Sequence, residues 1–514
     1  MGGTSMSYLL GVDIGTSGTK TILIDETGKV IARALAEYPL YTPRPLWSEQ
    51  DPEDWWQATQ STIKQCLTQA NVSPKEIKGV GLSGQMHGAV FLDADNAPLR
   101  RAILWNDQRT QAECDWITET IGKANVVELI SNPVLSGFTA GKIVWLRNNE
   151  PETYAKVRKV LLPKDYIRYK LTGEFATEVS DASGTALFCV TKRNWSHEML
   201  DGCGIPREWM PASYESQEVS GRISASASSL TGLAEGTPVV GGGGDQAAGA
   251  VGNGIVETGI VSSTVGTSGV VFAFSDTATV DPGLRLHTFC HAVPGKWHLM
   301  GVMLSAGGSL QWYRDTFCQE EKSVAALAGR DPYELITNEA ERAPLGCEGL
   351  IMLPYLTGER TPYPDANARG VFFGITRRCD KSFFARAVLE GVAYGLRDSF
   401  EIMKEMKLPI SQVRASGGGA RSGLWRQIQA DVTGYEHVTI NVDEGGALGV
   451  ALLAGVGTGV YPSIEEACRA VINVERRTEA NAQNHQLYDK YYTVYRDLYA
   501  HLRGDFKNIS RIVG

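Results

Sequence analysis

The segment Gly-Thr-Ser-Gly occurs twice in this chain, and each copy lies between two apolar runs. The first copy spans residues 15–18 in GVDIGTSGTK, and the second spans residues 266–269 in STVGTSGVVFAF. Apolar runs joined by glycine and small hydroxyl residues predict a β-hairpin. Because the copies are 251 positions apart in a chain of 514 residues, we expect a duplicated unit.

Predicted strands and helices alternate along both halves of the chain. The clearest helical periodicity is in FFARAVLEGVAYGLRDSFEIMKEM, and shorter helices are predicted in DPEDWWQATQSTIKQCLTQA, GKIVWLRNNEPETYAKV, WRQIQADVTG and GGALGVALLAGVG. This alternation indicates an α/β fold, and the length exceeds what one hydrophobic core usually supports. We place the boundary in residues 253–258, which gives two domains, 7–255 and 256–514, that face each other across a cleft.

Composition and charge exclude several classes of partner. The formal net charge is −9 and the basic residues are scattered, so neither nucleic acid nor an anionic membrane is expected. No apolar run reaches the roughly 18 residues of a membrane span, and the N-terminus lacks the basic start and apolar core of a secretory signal. The nine cysteines include no C-x-x-C pair, which favours reduced thiols in the cytoplasm.

Two familiar motifs are matched only superficially, and a third is absent. Residues 79–84, GVGLSG, fit the dinucleotide fingerprint, but the following residues predict a strand where that motif requires a helix. Residues 137–143, GFTAGKI, resemble a phosphate-binding loop, but one spacer residue is missing and isoleucine replaces the hydroxyl residue. The chain also lacks the G-x-S-x-G sequence of α/β-hydrolases.

The two Gly-Thr-Ser-Gly turns are candidates for binding a polyphosphate. Such turns expose backbone N–H groups and hydroxyls without bulky side chains, which allows phosphate oxygens to approach closely. Asp13 comes just before the first turn, where its carboxylate could hold the Mg²⁺ of a nucleotide through water. The alternative is that both turns are ordinary hairpins.

Asp245 follows four consecutive glycines, residues 241–244, and precedes an alanine-rich segment. The glycines let the backbone approach a neighbouring group very closely. A carboxylate in a glycine-lined cleft at the start of a helix suits a general base for an attacking hydroxyl. The alternative is that Asp245 is only an N-cap residue.

Two further segments suggest ligand contacts. Glycines 417–419 lead into a predicted helix and would let a flat adenosine lie on the backbone, although a simple tight turn is the alternative. Met86 and His87 lie between glycines and are followed by Trp105 and Asp107. This mixture of apolar and polar groups suits a small polyol, although a lone histidine can also be purely structural.

With these motifs the chain resembles the FGGY carbohydrate kinases, which share the fold of actin, hexokinase and Hsp70. The resemblance runs from about Tyr8 to the late helices. Residues 137–149 fit the first family signature, and residues 370–390 fit the second at its two ends. Phe383 departs from that signature, because family members usually carry a polar residue there. The resemblance implies two ribonuclease H-like domains around a catalytic cleft.

Within the family, the segments LSGQMHG, ILWNDQRT, LPKDYIRYKLTG and DASGTALF are similar to those of the xylulokinases. The resemblance implies that ATP phosphorylates D-xylulose, with Mg²⁺ as cofactor, and it allows a homodimer. It makes Asp245 the proton acceptor and Asp13 the carboxylate near the metal. The implied sugar contacts are Met86, His87, Trp105, Asp245 and Gln246. The implied nucleotide contacts are Thr16, Ser17, Thr19, Lys20, Gly266, Thr267, Gly307, Gln311, Gly418 and Gly419.

Two alternative functions stay open at this stage. The first keeps the kinase fold and changes the acceptor to ribulose, glycerol, gluconate or a deoxy sugar. The second is an Hsp70- or actin-like ATPase that drives a protein partner, for which the sequence offers no spare domain. The C-terminal segment YDKYYTVYRDLYAHLRGDF predicts an amphipathic helix that packs on its own domain or contacts another subunit.

Overall fold

The computed structural model describes residues 7–513, and strands and helices alternate through its first half. The strands there are β1 (Tyr8–Ile14), β2 (Gly18–Asp25), β3 (Val30–Glu37), β4 (Glu49–Gln50), β5 (Ile77–Gly84), β6 (Val90–Leu92), β7 (Ala102–Ile103), β8 (Lys159–Leu161), β9 (Ala176–Glu178), β10 (Phe188–Cys189), β11 (Asn194–Trp195), β12 (Ala212–Tyr214), β13 (Val219–Arg222), β14 (Pro238–Val240) and β15 (Gly243–Gly244). The helices are α1 (Pro52–Ala70), α2 (Gln111–Ile121), α3 (Lys123–Ile130), α4 (Thr139–Asn149), α5 (Pro151–Tyr154), α6 (Pro163–Thr172), α7 (Val179–Ala182), α8 (His197–Cys203), α9 (Ala225–Thr231) and α10 (Asp245–Gly252).

The second half has the same alternation with longer helices. Its strands are β16 (Gly259–Val265), β17 (Gly269–Ser275), β18 (His287–Cys290), β19 (Trp297–Met303), β20 (Ile351–Leu353), β21 (Val371–Phe373), β22 (Ile410–Gly417), β23 (His437–Ile440) and β24 (Val474–Thr478). Its helices are α11 (Gly307–Phe317), α12 (Gln319–Ala328), α13 (Pro332–Ala340), α14 (Lys381–Glu405), α15 (Gly423–Thr433), α16 (Gly445–Gly457), α17 (Ile464–Val471) and α18 (Ala482–Val513).

Each half is built around one seven-stranded sheet, and the two sheets share a strand order. The first runs β13-β14-β5-β1-β2-β3, with β15 also paired to β5, and the second runs β18-β19-β17-β16-β22-β23-β24. In both, the first strand pairs antiparallel with the next strand and parallel with a strand from much later in that half. The predicted α/β class and duplication are therefore confirmed.

The two Gly-Thr-Ser-Gly segments close equivalent hairpins, as the sequence predicts. Ile14 pairs with Thr19 at the end of the first hairpin, and Val265 pairs with Gly269 at the end of the second. The predicted long helix is α14, and α1, α15 and α16 match the other predicted helices. The segment predicted as one helix from residue 141 is split into α4 and α5, because Pro151 starts a new helix after Glu150.

Helices α10 and α16 cross each other between the two sheets. They share one core cluster with strands from both halves, including Leu9 of β1 and Phe272 of β17. Their contact is very close, because a Cβ atom built on Gly449 would lie 1.8 Å from the Ala248 carbonyl oxygen. α16 also packs against β1 and β5 of the first sheet, although it comes from the second half of the sequence.

The C-terminal helix α18 packs on its own half, which confirms that alternative. The Tyr488 hydroxyl donates to Glu390 Oε1 of α14 at 2.8 Å, and the Tyr492 hydroxyl donates to Asp398 at 2.6 Å. Within residues 7–513, no helix combines the length and apolar character that crossing a bilayer requires. The expected absence of a signal segment rests partly on residues 1–6, which lie outside the described residues.

Candidate active site

Asp13 lies near the end of β1, in register with Lys20 of β2 and next to the start of α16. A Cβ atom built on Gly446 would lie 2.9 Å from the Ser83 hydroxyl oxygen and 3.4 Å from Asp13 Oδ2, so glycine at this position avoids a clash with Ser83. Burial raises the pKa of the Asp13 carboxyl, and the Ser83 hydroxyl and the Lys20 ammonium partly offset this rise. Oδ1 is buried and has no hydrogen-bond partner among the described residues. An anionic oxygen with free lone pairs fits a magnesium-bound water.

The first turn is held by side chains that come from distant segments. Gln50 Nε2 donates to the Thr16 carbonyl oxygen at 2.7 Å, and Trp105 Nε1 donates to Thr16 Oγ1 at 3.0 Å. The Trp105 side chain is 40% exposed, so its ring still presents an open face. Ser17 at the tip of the turn is exposed. This hydrogen bond joins Thr16 of the turn to Trp105, which is one of the predicted sugar contacts.

Of the two predicted nucleotide contacts on β2, one is buried and the other is in an ion pair. The Thr19 side chain is fully buried, because alternate residues of this strand face the core, so it offers no atom to a phosphate. Lys20 forms an ion pair with Glu444, which immediately precedes α16. The prediction for Thr19 is therefore wrong for the described conformation, and Lys20 links the first hairpin to the second half.

His87 is held in one orientation at the end of the β5 segment. Its backbone has φ of +67°, in the left-handed region, and its Nδ1 lies 2.7 Å from the Gly184 carbonyl oxygen. Because a carbonyl can only accept, Nδ1 carries the proton and Nε2 is a free acceptor. Burial, together with the nearby Lys142, keeps the pKa of His87 well below its usual range, so the ring is neutral.

Met86 and the glycine run fit closely together. A Cβ atom on Gly244 would lie 2.9 Å from Met86 Cγ, and one on Gly242 would lie 1.9 Å from the Leu82 carbonyl oxygen. Gly242 also has φ of +71°, which favours glycine. The backbone of these glycines therefore lies directly against β5 and the Met86 side chain.

Asp245 is the first residue of α10, and Gly244 occupies the N-cap position without a side-chain cap. The N-cap alternative for Asp245 is therefore wrong. Burial and the like charge of Asp13 raise the pKa of the Asp245 carboxyl to about 7, although Gln246 lowers it in part. A half-buried carboxyl that titrates near neutrality, close to a second carboxylate, has the property expected of a general base.

Asp107 has a structural role and is not available to a ligand. Its carboxylate is fully buried, accepts from the Ser48 amide at 2.6 Å and pairs with Arg109 at 2.6 Å. The suggestion that it contributes to a polyol site is therefore wrong. Its partner Ser48 is 59 positions away in sequence, so no local pattern could have revealed this role.

The predicted nucleotide contacts of the second half line one cavity of about 460 Å³. All six of these residues line it, namely Gly266, Thr267, Gly307, Gln311, Gly418 and Gly419. The start of α11 is fixed to the second turn, because the Gly307 and Gly308 amides donate to the Gly266 and Thr267 carbonyl oxygens at 2.8 and 2.9 Å. This volume is suitable for a nucleotide-sized ligand.

Sequence reasoning missed several residues that line this cavity. They come from the start of α13 and from the segment before and within α15, namely Asp331, Tyr333, Glu334, Thr337, Arg421, Ser422 and Trp425. The sequence around Asp331 signals only a capped helix start, with Pro332 at its first position. That signal carries no information about a ligand.

Comparison with known proteins agrees with the two-part architecture. The model of the FGGY family of carbohydrate kinases matches this chain with its N-terminal domain over residues 8–252 and its C-terminal domain over residues 261–458. Xylulose kinase from Escherichia coli strain K12 is 42% identical over 494 residues, which cover 96% of this chain and 99% of the relative. Xylulose kinase from Bacillus subtilis strain 168 is 38% identical over 498 residues, which cover 97% and 98%.

A solved structure gives the same result at the level of the fold. The ligand-bound xylulose kinase from Lactobacillus acidophilus superposes with a TM-score of 0.91 at 26% identity, and the match covers 98% of this chain and 100% of that chain. Both halves of the sequence and both sheets lie within these matches. The chain belongs to the FGGY family of carbohydrate kinases.

Proposed function

We propose that this protein transfers the γ-phosphoryl group of ATP to the 5-hydroxyl of D-xylulose, giving D-xylulose 5-phosphate and ADP. Full-length similarity to two xylulose kinases, at 42% and 38% identity, supports this choice of sugar. For the proposal to hold, the sugar pocket must also suit a ketopentose.

The pocket around His87 offers the groups that a small polyol needs. Neutral His87 has a free ring nitrogen that accepts a hydrogen bond from a sugar hydroxyl. Met86 is 4% exposed and supplies an apolar wall, and the exposed face of Trp105 supplies a second one. Gln246, next to Asp245, adds an amide that both donates and accepts.

Asp245 is the general base of the proposed reaction. Its carboxyl has a pKa raised to about 7, so at neutral pH a large fraction is ionised and able to take a proton. A sugar hydroxyl is a weak acid, so the proton leaves late, as the bond from oxygen to phosphorus forms. Asp245 accepts this proton and also orients the attacking oxygen.

The phosphate groups are held by the turns and by charge. The exposed turn residues Gly266 and Thr267 border the nucleotide cavity, and the first turn lies next to Asp13 on the other side of the cleft. The free Oδ1 atom of Asp13 fits a magnesium-bound water, and Mg²⁺ supplies neutralisation of phosphate charge when it is bound. Positioning and charge neutralisation provide most of the rate enhancement in such transfers.

Two expectations from the sequence accompany this proposal. The resemblance allows a homodimer, and the sequence favours a cytoplasmic location. Both stay predictions.

The test is ADP release, coupled to NADH oxidation, with a panel of acceptors and a control without sugar. The panel contains D-xylulose, D-ribulose, L-ribulose, glycerol, gluconate and L-fuculose. We expect D-xylulose to give the largest kcat/KM by at least tenfold, which corresponds to about 1.4 kcal/mol of transition-state preference. A larger value for another acceptor would overturn the sugar assignment. Equal ADP release without sugar would favour the ATPase alternative.

A further inference from the structure

Residues 137–149 fit a family signature, and residues 137–143 within them resemble a phosphate-binding loop, but this segment lies away from the cavity proposed for the nucleotide. None of the residues that line that cavity comes from this segment. Its second part forms α4, and its start contacts the His87 segment of the first half. The segment therefore needs a different explanation.

Lys142 is the unusual residue of this segment, because its side chain is fully buried. Within residues 7–513, Lys142 forms no ion pair with a carboxylate. Its ammonium instead donates to two main-chain carbonyl oxygens, that of His87 at 2.7 Å and that of Gly137 at 2.5 Å. The Thr139 hydroxyl donates to the same His87 carbonyl at 3.1 Å. Both lone pairs of this carbonyl oxygen are thereby occupied.

This carbonyl belongs to a residue in an unfavourable backbone conformation. A residue other than glycine with φ of +67° persists only where its surroundings fix it. The imidazole ring is fixed as well, since it lies 2.7 Å from the Gly184 carbonyl and its centroid is 4.7 Å from that of Phe138. Gly184 has no room for a side chain, because a Cβ atom would lie 2.3 Å from the ring.

We propose that Lys142 and Thr139 are positioning residues for sugar recognition, which hold the His87 carbonyl and thereby fix the imidazole with Nε2 free to accept from the sugar. The inference rests on the proposed role of His87 in the sugar pocket. Lys142 and Thr139 touch neither substrate in this account. Their effect reaches the sugar only through His87.

The chemistry of the amine fits this role. Burial lowers the pKa of Lys142 to about 7, and the negative charge of Asp107 only partly opposes this change. A neutral amine still has two N–H groups, so both carbonyl oxygens keep a donor on either side of that pKa. A methionine has similar length and no donor, and it would leave both buried oxygens without this partner.

The test is a double-mutant cycle between Lys142→Met and His87→Ala, measured with the sugar that the wild-type protein phosphorylates best. We expect Lys142→Met to raise the sugar KM at least tenfold and to change the ATP KM less than twofold, because the nucleotide cavity lies in the other half. In the His87→Ala background, Lys142→Met should have almost no further effect on the sugar KM. Multiplicative effects in the double variant would overturn the inference.

A second pair of variants keeps the test valid if Lys142→Met does not fold. Thr139→Val removes one of the two donors to the His87 carbonyl and should raise the sugar KM about threefold. Thr139→Ser keeps the hydroxyl and is the matched control, with a KM expected to equal that of the wild type. Equal KM values for all three proteins would contradict the inference.

A measurement without substrate separates this inference from the proposed function. Long-range proton–nitrogen NMR spectra report the tautomer of each histidine, and the His87→Ala variant assigns the His87 signals. We expect a single Nδ1-protonated form in the wild type and a mixture of forms in Thr139→Val. An unchanged His87 spectrum in that variant would overturn the inference even if the protein is an active sugar kinase. Absence of any sugar-dependent activity in the wild type would instead refute the proposed function.

Discussion

At the scale of single residues, the charge of one carboxylate changes the acidity of another. Asp13 and Asp245 come from different strand ends, and the charge on Asp13 helps burial to raise the pKa of Asp245 to about 7. Burial also raises the pKa of Asp13. A carboxyl that must be ionised to accept a proton, and that titrates near 7, makes the reaction sensitive to pH in the physiological range.

The first prediction concerns this pH dependence. Only the ionised form of Asp245 acts as a base, so kcat/KM should rise as pH increases through about 7 and level off above it. The measurement is the initial rate with both substrates well below their KM values, between pH 5.5 and 9. Asp13→Asn removes the like charge, so the acid limb of its residual activity should move to lower pH. If the acid limb of Asp13→Asn lies at the same pH as that of the wild type, the charge of Asp13 does not determine the pH of this limb.

At the scale of elements, the contact between α10 and α16 explains one glycine in each helix, Gly252 and Gly449. A Cβ atom on Gly252 would lie 2.0 Å from the Gly445 carbonyl oxygen, and one on Gly449 would lie 1.8 Å from the Ala248 carbonyl oxygen. Backbone atoms cannot rotate away as a flexible side chain can. The helix that presents Asp245 is therefore held directly against the helix whose start borders Asp13.

The second prediction is that Gly449→Ala destabilises the protein by about 1–3 kcal/mol, the range expected for overpacking a tight interface. The matched control is Gly249→Ala in α10, where a Cβ atom would meet nothing within 4 Å. That variant should be neutral or more stable by up to about 1 kcal/mol, because alanine is the better helix former. The measurement is urea unfolding of both variants and the wild type. Equal stability of the two variants would contradict the close packing.

Local sequence patterns predicted the elements better than their contacts. Helix α14 and the two hairpins follow from periodicity and turn chemistry, and the glycine turns carry the predicted nucleotide contacts Gly266 and Gly418. The roles of Thr19 and Asp107 could not be predicted, because each depends on which face is buried and on partners far away in sequence. The packing of α16 on the first sheet is a long-range contact of the same kind.

At the scale of the whole molecule, the proposed function gives the two halves separate tasks. The proposed sugar pocket around His87 and Asp245 belongs to the first half, and within residues 7–513 the cavity of about 460 Å³ proposed for the nucleotide is lined by residues of the second half. The phosphoryl group must therefore pass from one half to the other, and closing of the cleft would exclude water during the transfer. Loss of the base should stop the transfer without weakening the nucleotide site.

The most direct test of this account is a comparison of Asp245→Ala and Asp245→Asn with the wild type. Phosphorylated sugar is measured by ³¹P NMR, and ADP binding is measured by calorimetry. We expect the transfer rate to fall by about 10²- to 10⁴-fold in both variants, since a general base contributes an effect of that size, while the ADP dissociation constant stays within twofold. Turnover close to that of the wild type in either variant would contradict the assignment of Asp245 as the base.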